Sequence, residues 1–374
     1  TRPVIQAALA DSKIEARVIA GGSHMLARYG HTIDELEADG IKVWHRAEFL
    51  SESDDSPAEL AHAYGRAVAV FVSLFSRSQP DRVFVLGDRW EMLAVASAAS
   101  MLRLPIIHHS GGDITQGSAD NQIRYAISCL SHLHLTALPE HRDRLVAMGE
   151  EPWRVTVTGE PALTELAAYG ARAGDIRAAL GIEPKAPFVL ATFHPTSFET
   201  CTPQEQAARF LACLDQILET IVLTAPNPDA SSDIFYRMMK QYASENPRVK
   251  LVESLGADRY YAAMAEANFM IGNSSSGLWE APSFGLPVIN IGVRQQGRVC
   301  GKNVLHVPLD VAQISDAIQK LSHLSGRKKF QIKDNPYVRD DTLALILDSL
   351  KAPYDTSKLL AKNLVDPLKH AGHH

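Results

Sequence analysis

Only four cysteines occur in 374 residues, Cys129, Cys201, Cys213 and Cys300, and no two form a Cys-x-x-Cys pair. That scarcity excludes a disulfide scaffold and a zinc knuckle, and it fits a reducing cytoplasm. No uninterrupted apolar stretch is long enough to span a bilayer, so no membrane partner is expected. Runs of lysine and arginine are scarce too, none exceeding the three residues Arg327-Lys328-Lys329. With 43 acidic against 37 basic side chains the net charge is -6, which gives no electrostatic reason to bind nucleic acid. No secretory leader is visible, and the chain opens on Thr1-Arg2-Pro3 without a methionine. The closing His373-His374 is set aside from functional reasoning.

What is present, 46% hydrophobic and 21% charged residues, is the composition of a globular protein. The length is too great for one ordinary core and suggests two domains. Short β-branched runs alternate with longer helical patterns, the signature of parallel sheets wrapped by helices. Strands are expected at 16–20, 82–86, 105–108, 134–138 and 155–158, then at 188–193, 220–224, 250–253, 269–271, 287–291 and 304–307. Helices are expected at 56–76, 91–102, 121–131, 140–148, 204–218, 232–245 and 342–351, the last packed across the domain junction. The expected fold is therefore α/β, with two doubly wound Rossmann-like domains over 1–166 and 167–335 and a returning C-terminal segment over 336–374. The polar, alanine-rich stretch 167–187 is the expected link. Such folds bind ligands in the crevice at the carboxyl ends of their strands, but they do not select a reaction.

The strongest local signal is Gly272-Asn273-Ser274-Ser275-Ser276-Gly277, between an apolar strand and an expected helix over 278–284. Backbone N–H groups at such a turn, with the serine hydroxyls, suit a diphosphate; a serine-rich helix cap is the competing reading. Glu280, one turn on, suits ribose hydroxyls or merely the helix dipole. His194 follows one strand directly, and Arg294 and Arg298 follow another, where they would neutralise phosphate charge. In the first half Gly87-Asp88-Arg89 follows a strand, and His108-His109-Ser110-Gly111-Gly112-Asp113 ends the next. Asp88, Asp113 and Asp120 are then candidate proton carriers from adjacent loops, with helix capping the alternative for Asp88 and Asp120. His108, His109, His132 and His134 lack a third ligand at recognised spacing, so no metal site is expected.

Taken together these stretches resemble the UDP-N-acetylglucosamine 2-epimerase family, and specifically its hydrolysing, sialic-acid-pathway branch. The resemblance is carried by Gly22-Ser23-His24-Met25, Gly87-Asp88-Arg89, Gly111-Gly112-Asp113, Asp120 with Arg124, Ser131-His132-Leu133-His134 and Thr158-Gly159-Glu160-Pro161. In the second half it is carried by Phe193-His194-Pro195, Pro226-Asn227-Pro228-Asp229, Ser254-Leu255-Gly256, Gly272–Gly277, Glu280-Ala281-Pro282 and 294–298. It implies the two-domain fold of GT-B glycosyltransferases and a homo-oligomer, dimer or tetramer, in the cytoplasm. The implied partner is a UDP-linked 2-acetamido sugar, with no cofactor. Ser274, Ser275, His194 and Arg294 would hold the diphosphate, Glu280 the ribose, and Ser254 would lie near the base. His24, Arg89, Ser110 and Asn227 would complete the substrate site, with Asp88 and Asp120 as acid and base.

Three departures from the family pattern stand out. Ser110 occupies a position where the family carries a catalytic glutamate, so Asp113 is expected to share the proton transfers while Ser110 leaves room for a differently substituted sugar. Asn121 stands where an acidic residue is usual. The family's first strand and Gly-Thr-Arg loop belong before Thr1 and are expected upstream. A variant sugar-nucleotide hydrolase or lyase, and a silent nucleotide-sugar binder, remain the alternatives to epimerisation.

Overall fold

A computed structural model describes residues 2–27, 31–51, 56–166, 174–226, 231–323, 335–363 and 365. The strands are β1 (Val18–Gly21), β2 (Val43–Ala47), β3 (Val83–Leu86), β4 (Ile106–His109), β5 (Leu133–Thr136) and β6 (Val155–Val157) in the first half. Those of the second half are β7 (Phe188–Thr192), β8 (Thr220–Thr224), β9 (Val249–Val252), β10 (Met270–Gly272), β11 (Val288–Ile291) and β12 (Val304–Val307). The second half forms one six-stranded sheet in the order β12-β11-β10-β7-β8-β9, and all five neighbouring pairs in it are parallel. The order reverses between β10 and β7. In a doubly wound sheet that switch point opens a crevice at the carboxyl ends of the strands.

The first half divides into a parallel pair, β1-β2, and a parallel four-stranded sheet, β3-β4-β5-β6. Strand β2 was not anticipated. Its side chains alternate between exposed and less exposed positions, Trp44 and Arg46 outward, so it lacks the continuous apolar run that marks a strand buried on both faces. By contrast every residue of β4, β5, β7 and β11 is buried.

Helix ends follow local chemistry. Ser56 accepts from Glu59 N–H at 3.2 Å and Pro57 begins the helix Pro57–Ser78. Thr202 and Glu205 form a reciprocal capping box at the helix Pro203–Leu214. The helix expected over 278–284 is instead one α-turn, Ser276–Trp279, and a 3-10 turn, Ala281–Phe284. Pro282 has no N–H to continue the ladder. The expected link over 167–187 lies partly outside the described residues; its described part holds a short helix, Ile176–Leu180, capped by Asp175.

After the second half the chain returns to the first. Ile346 and Leu359 pack with Ile107, Leu133 and Leu135 beneath the four-stranded sheet. Two arginines of the first half fasten this return through backbone carbonyls. Arg82 donates to Ser349, Leu350 and Ala352, and the buried Arg154 donates to Leu359 at 3.0 Å and Lys358 at 3.2 Å. No helix among the described residues is long and apolar enough to cross a membrane.

Candidate active site

Strand ends of the first half deliver the acidic residues. Gly87, with φ of 95°, turns the chain out of β3 and presents Asp88, which accepts from Arg124. Neither Asp88 nor Asp120 is the helix cap that competed with a catalytic role. The cap positions fall on Arg89 and Ala119, and Asp120 accepts instead from the Ser118 hydroxyl at 2.9 Å. Arg124, fully buried, gathers the loops by donating also to the Asp113 carbonyl at 3.1 Å, Thr115 Oγ1 at 3.1 Å and Asn121 Oδ1 at 3.4 Å. Asn121 Oδ1 accepts from Thr115 N–H at 2.8 Å, so the amide that replaces an acidic residue braces this loop. Burial would raise the Asp88 carboxyl, but Arg124 and Arg298 outweigh it and hold it below its ordinary value.

Asp113 is differently placed from the expectation that it carries protons. It is 1% exposed and paired with Arg298, Nε to Oδ2 at 2.7 Å, with His141 Nε2 at 3.3 Å from Oδ1. Burial is again outweighed, by Arg298 first and then His141 and Arg124, so its carboxyl lies far below the usual range. A carboxylate locked in that way stays ionised at neutral pH, which favours a structural clasp over proton exchange. Ser110 adopts φ of 77° at the end of β4, and its hydroxyl lies 3.0 Å from His109 Nδ1. His109 Nε2 lies 3.1 Å from the Gly159 carbonyl, which only accepts, so Nε2 carries the proton and Nδ1 receives the Ser110 O–H. Burial pushes His109 down to about 4 and keeps it neutral.

In the second half Asn273 organises the switch point. Its Oδ1 accepts from His194 N–H at 2.7 Å and its Nδ2 donates to the His194 carbonyl at 2.8 Å, joining the ends of β7 and β10. Its carbonyl accepts from Arg294 at 3.1 Å and Gln295 at 2.8 Å, joining β11 as well. The close approach needs Gly272: at φ of 141° a Cβ there would stand 1.8 Å from the Thr192 carbonyl oxygen. Ser274 and Ser276 hydroxyls lie 2.8 Å apart, and Ser276 lies 2.9 Å from the Tyr260 hydroxyl. The single helical turn after Ser275 makes side chains and loop N–H groups, rather than a helix dipole, the main source of positive potential here. Among the described residues Glu280 Oε2 is buried without a hydrogen-bond partner, and burial, with Glu160 next, raises its carboxyl to about 7.

The halves meet at this site. Gln116 N–H donates to the Gln296 carbonyl at 3.1 Å, and a Cβ on Gly117 would stand 2.2 Å from the Val293 carbonyl oxygen. Arg298 stacks on Trp279, 4.5 Å from its ring centroid, while holding Asp113 from the other half. Tyr337, from the returning segment, is buried and donates to the Val299 carbonyl at 2.7 Å; its own carbonyl accepts from Glu160 N–H at 2.9 Å. Sequence reasoning missed Asn273, His141, Glu160 and Tyr337 as site residues, and took Arg298 for a phosphate neutraliser. A buried polar residue inside a serine-rich turn was the one available signal, for Asn273.

Other expected residues lie at the periphery. His24 Nδ1 is 2.6 Å from Thr32 Oγ1, and Arg89 pairs with Glu91 at 3.1 Å. Ser254, exposed, accepts from Gly256 N–H at 3.2 Å at the end of β9. Asn227 lies outside the described residues. The histidines are engaged in packing. His108 Nε2 is 2.9 Å from the Gly87 carbonyl, His132 Nδ1 accepts from Ile106 N–H at 3.0 Å, and His134 is 3.1 Å from Glu150. Among the described residues no group of three or more His, Cys, Asp or Glu side chains is arranged to hold a metal ion.

Two α/β halves built on parallel sheets, the second doubly wound and the first a parallel pair beside a four-stranded sheet, define a fold shared with solved UDP-GlcNAc 2-epimerases. A UDP-GlcNAc 2-epimerase from Neisseria meningitidis, solved bound to UDP-GlcNAc, is similar with a TM-score of 0.77 at 18% identity, over 93% of this chain and 95% of that one. A Staphylococcus aureus structure solved with UDP gives 0.75 at 17% identity, over 97% and 95%. At the level of sequence, the UDP-N-acetylglucosamine 2-epimerase family matches residues 6–351, and the chain belongs to that family. A hydrolysing GDP/UDP-N,N'-diacetylbacillosamine 2-epimerase from Campylobacter jejuni is 32% identical over 314 residues, 83% of this chain and 81% of the relative. The polysialic acid biosynthesis protein P7 of Escherichia coli is 32% identical over 338 residues, 88% and 85% respectively. The chain is an enzyme of the hydrolysing 2-epimerase type.

Proposed function

We propose that the protein releases UDP from a UDP-linked 2-acetamido sugar and returns the free sugar with the opposite configuration at C2. The observation that carries this reading is the cluster at the second-half switch point, where Asn273 ties His194 and Arg294 beside Ser274 and Ser276, with Arg298 of the same half paired to Asp113 and Arg124 joining Asp113 to Asp88. Ser274, Ser275, His194 and Arg294 bind the diphosphate, Glu280 binds the ribose, and Ser254 lies toward the base. Asp88 takes the C2 proton as the C1–O bond to UDP breaks, leaving a glycal-like intermediate to which water adds. Positive groups fixed around the departing diphosphate lower that barrier. Asp120 holds sugar hydroxyls or relays protons beside Asp88, and Asp113 fixes Arg298 between the halves.

The sugar carries a substituent other than a hydroxyl at C4. The names of the Campylobacter and Legionella pneumophila relatives, both hydrolysing diacetylbacillosamine 2-epimerases, support this, as does the small Ser110. The product is then of the N-acetylmannosamine type from which sialic-acid-like sugars are made. The enzyme works as a homo-oligomer in the cytoplasm, a compartment that suits its four free cysteines. Incubation with UDP-GlcNAc and UDP-diacetylbacillosamine, with products followed by proton NMR, tests the reading. UDP release with a C2-inverted free sugar, faster from the 4-acetamido substrate, is expected; UDP release with retained C2 configuration would refute epimerisation.

A further inference from the structure

A relay of hydroxyl groups runs behind the serine-rich turn. Thr224 Oγ1, at the end of β8, lies 2.6 Å from Thr192 Oγ1, at the end of β7. Thr192 Oγ1 lies 3.4 Å from the Tyr260 hydroxyl, Tyr260 2.9 Å from Ser276 Oγ, and Ser276 Oγ 2.8 Å from Ser274 Oγ. Strand register fixes the inner end. Thr192 stands opposite both Thr224 and Gly272, and its carbonyl accepts from Asn273 N–H at 3.1 Å. Tyr260 enters from the helix Gly256–Glu266, whose Tyr261 and Met264 belong to the core of the second half. The Tyr260 ring packs against that same core, and a phenylalanine would do so equally well. Its hydroxyl is the part that packing does not require.

Bond lengths give the relay a direction. A phenol, with a pKa near 10, is a stronger donor and a weaker acceptor than an aliphatic hydroxyl. At Tyr260 the bond to Ser276 is the short one, 2.9 Å, and the contact with Thr192 the long one, 3.4 Å, so the phenolic proton lies toward Ser276. Burial pushes the phenol above its ordinary value, which keeps that proton in place at neutral pH. Ser276, accepting from Tyr260, turns its own O–H to Ser274. Ser274 Oγ also accepts from Ser276 N–H at 3.4 Å, so both its lone pairs are engaged within the turn. The O–H of Ser274, a partly buried residue, is thereby left to donate outside it. In the reverse direction Ser274 would donate inward and offer lone pairs outward. A diphosphate presents only acceptors at neutral pH, so the first direction receives it and the second repels it.

We propose that Tyr260 is a positioning residue of the diphosphate site, holding the Ser276 and Ser274 hydroxyls in the direction that aims the Ser274 proton at a phosphate oxygen. The inference rests on the diphosphate reading of the turn Gly272–Gly277. Tyr260 acts through the two serines and makes no contact with the nucleotide in this role. A donor fixed before the ligand arrives needs no reorientation on binding, and it meets the charge that grows on the diphosphate as the C1–O bond breaks. Without the phenol both directions are open to the serines, and affinity falls with the fraction of molecules in which Ser274 points outward.

Calorimetry with UDP on the wild type, Tyr260→Phe, Ser274→Ala and the double variant tests this. Tyr260→Phe should weaken UDP about 3- to 10-fold, and Ser274→Ala about 10-fold or more. The double variant should bind within about twofold of Ser274→Ala, because the phenol has nothing left to orient once the Ser274 hydroxyl is gone. A purely structural effect of the phenol would instead multiply with that of Ser274→Ala. Uridine, which lacks phosphate, should bind Tyr260→Phe as it binds the wild type when followed by ligand-observed NMR. Unchanged UDP affinity in Tyr260→Phe overturns the proposal, as do losses that multiply in the double variant or an equal loss for uridine. Should Tyr260→Phe not fold, Ser276→Ala cuts the relay one hydroxyl further on; it should weaken UDP similarly, and unchanged affinity there overturns the proposal. A wild type that binds no UDP, or a Ser274→Ala variant that binds it normally, removes the diphosphate reading itself. A loss in Ser274→Ala with none in Tyr260→Phe removes only the role of Tyr260.

Discussion

Replacing Asp113 by asparagine would leave Arg298 a buried cation in the seam between the halves. Arg298 would keep Gln295 Oε1 at 2.8 Å and the face of Trp279, but lose the only carboxylate in contact with it among the described residues. Removing one partner of a buried ion pair typically costs about 3–5 kcal/mol. The asparagine oxygen still accepts one bond from the guanidinium, so a loss near the lower end, about 3 kcal/mol, is expected. Urea unfolding of wild type and Asp113→Asn at neutral pH measures this directly. Adding Arg298→Met to Asp113→Asn removes the stranded charge, so the double variant should cost less than the two single changes together, by about 0.5–3 kcal/mol. The pH dependence has a definite sign. Because the Asp113 carboxyl is depressed in the folded protein, its contribution is present above the unfolded value and lost as pH falls through the folded one. The stability gap between wild type and Asp113→Asn should therefore be level from about pH 5 to 8 and shrink only in acid. An Asp113→Asn variant as stable as the wild type, binding UDP normally yet inactive, would refute this reasoning and make Asp113 a proton carrier.

Two further outcomes test the two halves separately. Asp88→Asn should reduce turnover by about 10²-fold or more while UDP affinity stays close to wild type, and because it removes the carboxylate paired with the buried Arg124 it should also lower unfolding stability by up to about 3 kcal/mol; activity that fell only in step with the unfolded fraction would count against an acid–base role. Gly272→Ala should lower unfolding stability by more than about 1 kcal/mol and weaken UDP binding, because a Cβ there runs into the Thr192 carbonyl at the switch point; calorimetry and urea titration with unchanged values would contradict that placement.

The local elements were legible because their signals are local. Strands β8 and β12 and the helices Ser232–Glu245 and Thr342–Lys351 coincide with the periodicity-based ranges, and most other strands begin or end within a residue or two. The strand β2 escaped because it is half exposed, and the helix after Ser275 came out broken because Pro282 interrupts its ladder. The candidate site was legible as far as single motifs reach: Asp88, Asp120, His194, Ser274–Ser276 and Arg294 all stand at strand ends or helix starts that the pattern marks.

Partnerships were beyond that reach. Whether Asp113 exchanges protons depends on Arg298, 185 positions away, and whether Asp88 caps a helix or pairs with a cation depends on the buried Arg124. The sequence alone determined the alternation of strands and helices, the serine-rich turn and the family, because hydrophobic period, turn chemistry and motif order are properties of neighbouring residues. Tertiary structure alone decided which carboxyls are held ionised and which cation clasps which half, because desolvation and Coulomb energy depend on distances that folding sets between residues far apart in the chain.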